Sequence, residues 1–156
     1  MRFFLLPLFS VVLSTPISQW PLIPFGSSSV VQPIISCGVD TDVFIPKKIL
    51  VSPDPPVRGQ SITLTIEGTL SEDVVDGAYA DIKVKLGLIK LLETKVDLCS
   101  EIKNVDLTCP LKEGELTIVK QVDIPNEVPP GVYKVHVAAT NADELSIACF
   151  DITIQL

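Results

Sequence analysis

Hydrophobic and polar residues alternate with a period of two along most of the chain after residue 60. The pattern is clearest at residues 61–67, 80–86 and 133–139, and it closes the chain at 150–156. Alternation of this kind is typical of β-strands that bury one face. Less regular runs stand at residues 48–52, 88–96 and 116–124, and in the last of them Lys120 interrupts the apolar face. The pattern therefore predicts about seven strands.

Turn-forming residues separate the predicted strands at short intervals. Proline, glycine, aspartate, glutamate and asparagine mark these turns, at residues 54–56, 76–77, 113–114, 129–131 and 141. Many short strands with such spacing predict an all-β fold, an immunoglobulin-like antiparallel β-sandwich. One stretch leaves a short helix open as an alternative, because its apolar residues also fit a helical stripe. That stripe consists of Leu91, Leu98, Ile102 and Val105.

The first 14 residues have the pattern of a secretory signal peptide. Arg2 gives a positive start, an apolar run of 11 residues follows at 3–13, and small residues stand at Val12 and Ser14. The run is shorter than the ~20 residues that span a bilayer. We therefore expect cleavage after Ser14, with a buried N-terminal helix as the alternative.

Residues 15–36 contain no charged residue and are interrupted by prolines, a glycine and a serine run. This composition predicts a linker or a removable pro-segment, and it leaves residues 37–156 as one folded domain. The alternative is an ordered apolar strap, in which Val30-Val31 and Ile34-Ile35 pair with a sheet edge.

The charge of the chain excludes some classes of function. There are 12 Lys+Arg and 19 Asp+Glu, a net charge of −7, and loss of Arg2 with the signal peptide would leave −8. Nucleic-acid binding needs a clustered basic surface, so we expect no nucleic-acid partner. With 47% hydrophobic and 20% charged residues, the chain is also too apolar for disorder.

Candidate catalytic chemistry is sparse. The one histidine, His136, lies on the polar phase of its predicted strand, and the carboxylates of Glu72, Asp73 and Asp76 cluster in a predicted turn. The sequence contains neither a glycine-rich phosphate loop nor a Gly-x-Ser-x-Gly motif, whose geometry such reactions need. We expect a protein that is not an enzyme, with no cofactor and no metal.

Four cysteines fit a disulfide framework in an oxidising compartment. They are Cys37, Cys99, Cys109 and Cys149, and four cysteines allow three pairings. The nested pairing, which joins the first to the last, is the most economical of the three, but the spacing does not prove it. The prediction places the protein in the secretory pathway, either secreted or in a vacuole-like compartment.

The interior and one rim of the predicted sandwich are unusually aliphatic. Residues 37–156 contain only four aromatic residues, and residues 86–92 form an almost continuous apolar stretch. An ordinary aliphatic core would explain the small number of aromatic residues. The apolar stretch would expose apolar side chains on a sandwich rim, which suits contact with a membrane or an apolar ligand.

Several separated motifs resemble one family when they are taken together in order. They are Cys37-Gly38, Ser52-Pro53-Asp54-Pro55-Pro56, Gly77-Ala78-Tyr79, the 84–92 stretch, Asp97-Leu98-Cys99, Cys109-Pro110-Leu111, Pro129-Pro130-Gly131-Val132-Tyr133 and Cys149. In these motifs the chain resembles the ML-domain lipid-recognition family, and within it the fungal branch of phosphatidylglycerol/phosphatidylinositol transfer proteins. The match covers residues 37–156.

The resemblance implies a sandwich whose two sheets hold a lipid between them. It also implies that Cys37 pairs with Cys149, and that Cys99 pairs with Cys109. The sterol-carrying branch has a further disulfide after its Ser-Pro motif, and residues 54–59 contain no cysteine. This departure favours the phospholipid branch. The cavity mouth corresponds to Leu86, Gly87, Leu88, Ile89, Lys90, Leu91 and Leu92.

The resulting hypothesis is a monomeric carrier that moves a phospholipid between membranes through transient membrane contact. We expect the lipid chains to lie against the alternating apolar positions of four strands, with Lys90 near the headgroup. The predicted cavity residues are Ile62, Leu64, Ile66, Ile82, Val84, Tyr133, Val135 and Val137. The alternatives are a sterol carrier of the same fold and an extracellular interaction module with a solid core.

Overall fold

A computed structural model describes residues 34–156, so the predicted signal peptide and most of the predicted linker lie outside the described residues. The described part contains eight strands, one short α-helix and one 3-10 helix. In chain order they are β1 (Ile34–Ser36), β2 (Phe44–Ser52), β3 (Ser61–Leu70), β4 (Tyr79–Leu86), β5 (Ile89–Asp97), α1 (Leu98–Glu101), the 3-10 helix Ile102–Val105, β6 (Gly114–Asp123), β7 (Val132–Thr140) and β8 (Ser146–Gln155).

The strands form two antiparallel sheets that pack face to face. One sheet has five strands in the order β1-β8-β7-β4-β5, and the other has three in the order β2-β3-β6. This all-β antiparallel sandwich is the predicted fold class. The predicted strands are present at all seven places, and β1 is additional.

Cross-strand rows of aliphatic residues explain why each sheet buries one face. In the three-stranded sheet Ile66 lies opposite Ile49 on β2 and Ile118 on β6. In the five-stranded sheet Val135 lies opposite Val84 and Ile152. Residues directly opposite each other in antiparallel strands point to the same face, so these rows form the two inner faces of the sandwich.

The most deeply buried cluster lies at one end of the sandwich. It consists of Val43, Phe44, Leu70, Val74, Ala78, Ile147 and Ala148. Gly68 is part of this packing, because a Cβ atom on it would lie 2.5 Å from the Phe44 ring. Any larger residue at position 68 would therefore displace the ring and disturb this end of the core.

The stretch that allowed a helix divides into a strand followed by a helical turn. Strand β5 ends at Asp97, whose side chain accepts a hydrogen bond from the Ser100 amide at 2.8 Å and caps α1. The 3-10 helix then ends at Val105, and Asp106 after it has a left-handed backbone with φ of 58°. Helical residues Leu98 and Ile102 turn inward, as the apolar stripe predicted, whereas Leu91 belongs to the strand.

Two disulfides close the fold in the nested arrangement. Cys37 is bonded to Cys149 with their Cα atoms 4.9 Å apart, and Cys99 is bonded to Cys109 with a Cα separation of 5.5 Å. Just before the first of these, β1 pairs with β8, so residues 34–36 of the predicted linker add a strand to the sheet edge. Disulfides of this kind persist in oxidising compartments, which indicates a protein of the secretory pathway.

None of the helices in residues 34–156 has the length and apolar character needed to span a bilayer.

Candidate ligand cavity between the sheets

The larger of two apolar cavities lies between the sheets, next to the buried cluster. Its volume is about 130 Å³, and every side chain that lines it is apolar. Both sheets contribute, and the helical segment and the loop after it close one side. The lining residues are Phe44, Ile66, Leu70, Val74, Leu98, Ile102, Cys109, Leu111, Leu116, Ile118, Ala139, Ile147, Ala148 and Phe150.

The second cavity lies further along the same interior. Its volume is about 70 Å³, and it is lined by Ile34, Val51, Pro56, Ile62, Leu64, Val122, Ile152 and Ile154. The two cavities follow one another along the same strands, because Ile66 lines the first and Leu64 and Ile62 line the second. The space between the sheets is therefore an elongated apolar region, closed into two chambers.

Three of the predicted cavity residues line these chambers. Ile62 and Leu64 line the smaller one, and Ile66 lines the larger one. The alternating apolar residues of β3 therefore face the space between the sheets; their contact with a lipid stays a prediction.

The other five predicted residues lie on the inner face of the five-stranded sheet but line neither of these two chambers. On β8, the residues directly opposite the three β7 members of this set do line a chamber. Phe150 lines the larger one, and Ile152 and Ile154 line the smaller one. The five predicted residues are Ile82, Val84, Tyr133, Val135 and Val137. The Tyr133 hydroxyl donates to the Pro129 carbonyl oxygen at 2.7 Å, so the polar end of this buried side chain is satisfied at the loop.

Sequence reasoning missed the lining residues that come from outside the alternating runs. Val74 and Leu111 belong to loop segments and are joined by an isolated β-bridge. Leu98 and Ile102 lie four positions apart on the helical segment, and that spacing was the available signal. The loop residues carry no comparable signal in the sequence.

The predicted mouth, Leu86–Leu92, is the β4–β5 hairpin, and its tip is exposed. Gly87 has φ of 57° and permits the tight turn. Leu88 is fully exposed and Ile89 is 64% exposed. Leu86, by contrast, packs inward against Gly131, where an added Cβ would lie 2.7 Å from a Leu86 methyl group. We refer to Leu88, Ile89, Leu91 and Leu92 together as the apolar tip.

Lys90, the predicted headgroup cation, already has a partner. Its ammonium group lies 2.6 Å from the Glu93 carboxylate, and Lys83 lies 3.5 Å from the same side chain. Lys90 and then Lys83 hold the pKa of the Glu93 carboxyl below its ordinary value. Behind the tip, Lys85 and Lys134 lie directly opposite each other on the outer face of the sheet, and neither forms an ion pair within residues 34–156.

Two of the remaining candidate residues, His136 and Asp73, form pairs at the surface. His136 Nδ1 lies 2.7 Å from an Asp151 carboxylate oxygen. Asp73 accepts hydrogen bonds from the Lys112 ammonium group at 2.7 Å and the Glu113 amide at 2.9 Å. These bonds lower the pKa of the Asp73 carboxyl. Glu72 and Asp76 are exposed.

Two groups in residues 34–156 bring three potential metal ligands together, and each contains a disulfide. One joins His136 to Cys37 and Cys149, and the other joins Asp76 to Cys99 and Cys109. Sulfur atoms in a disulfide are not thiolates, the form in which cysteine binds metals. These groups therefore do not form metal sites while the disulfides are intact.

Comparison with known proteins connects this architecture to a family. Residues 32–156 match a family model described as the ML domain. The chain is 44% identical over 122 residues to the phosphatidylglycerol/phosphatidylinositol transfer protein of Mycosarcoma maydis, a match that covers 77% of this chain and 63% of that protein. It is 42% identical over 126 residues to the protein of the same name from Pyricularia oryzae, covering 80% of this chain and 71% of that one. The chain thus spans just under two thirds of the first relative.

A solved structure shares the fold. The crystal structure of a Niemann-Pick type C2 protein from Japanese carpenter ant has a TM-score of 0.62 with this chain at 19% identity. The similarity covers 79% of this chain and 98% of that chain. At this level of identity the comparison concerns the arrangement of strands, which is the same sandwich.

Proposed function

The chain belongs to the ML domain family, and we propose that it is a lipid transfer protein that binds a phospholipid between its two sheets and carries it between membranes. Phosphatidylglycerol and phosphatidylinositol are the proposed ligands, because both relatives described above are named for the transfer of these lipids. The protein acts in this proposal as a carrier without catalysis.

The observation that supports the proposal best is the entirely apolar lining of two aligned chambers. Apolar cavities of this size stay dry and accept apolar ligands. Each buried CH₂ group contributes ~0.8 kcal/mol, so an acyl chain is retained without any polar contact along its length. At about 130 and 70 Å³, the chambers accept a chain only if the sheets move apart and join them. In this proposal, the two separate chambers represent the closed form of the carrier.

The apolar tip is the proposed membrane contact. A fully exposed leucine beside three exposed apolar neighbours is unfavourable in water and favourable at a bilayer surface. Lys85 and Lys134 stand behind the tip and would face lipid phosphates when it docks. Their local positive charge opposes the repulsion from anionic membranes that is expected at the net charge of −8 left after loss of the signal peptide.

Location and assembly are part of the proposal. We propose that residues 1–14 are removed as a signal peptide, that residues 15–36, which end in β1, are a linker or a removable pro-segment, and that the protein is secreted or reaches a vacuole-like compartment. It would act as a monomer, since one sandwich contains both chambers and the tip. Sequencing the N-terminus of secreted protein tests the first point, and an intact Met1 on that material would refute it.

Native mass spectrometry and a vesicle assay test the main proposal. Protein purified without detergent should carry a bound phospholipid. It should also move fluorescent phosphatidylglycerol from donor to acceptor vesicles in proportion to its concentration. A bound sterol would instead support a sterol carrier of the same fold. Empty protein that takes up no labelled lipid would support an interaction module and reject the proposal.

A further inference from the structure

One lysine lies on the inner face of the sandwich. In β6 the inner positions are Leu116, Ile118, Lys120 and Val122, and Lys120 is directly opposite Leu64 on β3. Ile118 lines the larger chamber, whereas Leu64 and Val122 line the smaller one. In the register of β6, Lys120 therefore lies between residues that line the two chambers, although its own side chain lines neither.

The polarity of β6 is reversed at this point. Val119 is on the outer face and is 52% exposed, while the next residue, a lysine, occupies a position on the inner face of the strand. Placing an ammonium group beside apolar surface costs free energy unless the charge is paired. A polar residue at an inward position of an alternating strand breaks the usual pattern, and such departures are expected at functional or strained sites.

The partner of Lys120 is distant. Its ammonium nitrogen lies 4.0 Å from a Glu101 carboxylate oxygen, and the lysine side chain is 36% exposed. The Lys90–Glu93 pair is much closer, at 2.6 Å. Charge-assisted hydrogen bonds have donor–acceptor distances of about 2.7–2.9 Å, so Glu101 is a counter-ion of Lys120 without a hydrogen bond to it. Among the residues that the structure describes, none accepts a hydrogen bond from this ammonium group, so its donors are available to another acceptor.

The position of β6 gives such an acceptor access. This strand forms one edge of the three-stranded sheet, so Lys120 lies where the apolar interior meets solvent. A phospholipid with its chains between the sheets needs its phosphate at such a boundary. We propose that Lys120 binds the phosphate of the carried phospholipid, and that Glu101 neutralises Lys120 when the carrier is empty. This inference rests on the proposed function.

The test compares two lipids that share the same labelled acyl chains, phosphatidylglycerol and diacylglycerol. Only the first has a phosphate. Lys120→Gln should weaken phosphatidylglycerol binding by about tenfold, the order expected for loss of a hydrogen bond to a charged group, and leave diacylglycerol binding unchanged. Glu101→Gln should strengthen phosphatidylglycerol binding, because the phosphate no longer competes with a carboxylate.

Lys48→Gln is the matched control. Lys48 is exposed and lies opposite Glu67 on the outer face of the other edge strand, so its loss removes the same charge away from the chambers. Lys120→Met keeps most of the aliphatic stem and serves if the glutamine variant does not fold, as judged by thermal unfolding. Lys120→Arg should retain phosphatidylglycerol binding.

The outcomes separate this inference from the proposed function. Wild-type protein that takes up neither lipid would reject both. Wild-type protein that binds phosphatidylglycerol, together with a folded Lys120 variant that binds it as well as Lys48→Gln does, would overturn the role of Lys120 alone. Equal loss of both lipids in a folded variant would also overturn it, because the side chain would then act only on the shape of the chamber.

Discussion

Two alanines contribute to the width of the larger chamber. Ala139 on β7 lies directly opposite Ala148 on β8, and both line the chamber. A methyl group at each position leaves space that a leucine or phenylalanine would fill. Small residues in the middle of an otherwise aliphatic sheet are thus the simplest way for this sequence to retain a cavity instead of a solid core.

Filling the chamber should abolish binding without unfolding the protein. Ala139→Leu places three more carbons into a space of about 130 Å³. We expect uptake of labelled phosphatidylglycerol to fall at least tenfold, while the protein still folds and its free energy of unfolding falls by about 1–3 kcal/mol, the usual cost of adding carbon atoms to a core. Ala138→Leu, on the opposite face of the same strand, is the control and should bind normally. Normal uptake by the Ala139 variant would show that the lipid lies elsewhere.

Asp73 should make stability depend on pH at the acid end. Hydrogen bonds from Lys112 and Glu113 lower the pKa of its carboxyl from the ordinary value of 3.8. A carboxyl whose pKa is lowered by folding stabilises the protein above its unfolded pKa, and this contribution is lost as pH falls through the folded pKa. Asp73→Asn should therefore be less stable than wild type at neutral pH, and the difference should shrink below about pH 4. Thermal unfolding of both proteins across this range measures it, and a difference independent of pH would contradict the assignment.

At the scale of elements, the β4–β5 hairpin combines two properties that folding alone does not require. It presents the apolar tip to solvent, and the outer-face positions of β4 that precede the tip are the lysines Lys83 and Lys85. β-strands at sheet edges are usually protected from association by charge, and here Lys90 and Lys95 lie on the edge strand itself. The apolar residues are concentrated near the turn, where they can meet a membrane without opening the sheet.

Ile89→Asp should slow transfer far more than it affects stability. Ile89 is 64% exposed, and substitutions at exposed positions usually shift stability by less than ~1 kcal/mol. A charge at a tip that enters the bilayer surface costs ~2–3 kcal/mol, which slows transfer by roughly 30-fold or more.

Val119→Asp is the control for this substitution. It introduces the same charge on the outer face of β6, at a residue that is 52% exposed, and should transfer lipid at nearly the wild-type rate. The tip assignment fails if Ile89→Asp transfers phosphatidylglycerol as fast as wild type. It also fails if this variant does not fold, since Ile89 would then belong to the core.

The sequence predicted the strands well because alternation is local. The inward face of β3 follows from periodicity alone, whereas the role of residues 86–92 as a cavity mouth came from the resemblance to the ML-domain family. The chamber is different, because it depends on which strands lie opposite each other and on Val74 and Leu111, which come from loops. The same limit applies to the lysines. The resemblance placed Lys90 at the mouth, whereas only the pairing of β6 with β3 puts Lys120 on the inner face, at the edge of the sandwich.

At the scale of the whole molecule, the two disulfides restrain different things. Cys37–Cys149 joins residues 112 positions apart and fastens β1 beside β8. Cys99–Cys109 spans 10 positions and holds the segment that closes the larger chamber. Leu98, Ile102 and Cys109 all line that chamber. The long bridge thus restrains the overall fold, and the short one restrains a wall of the cavity.

Removing each bridge should therefore have a different effect. In the chain-entropy account, a loop of 112 residues contributes ~5 kcal/mol and one of 10 contributes ~3 kcal/mol. Replacing Cys37 and Cys149 by alanine should lower the free energy of unfolding by about 2 kcal/mol more than replacing Cys99 and Cys109.

The variant without Cys99 and Cys109 should show the larger loss of phosphatidylglycerol uptake relative to its loss of stability, because the chamber wall is released while the sheets stay paired. Urea unfolding and lipid uptake on the same samples measure both quantities. Equal ratios of binding loss to stability loss would mean that the helical segment is not a functional wall, and that the lipid is held by the sheets alone.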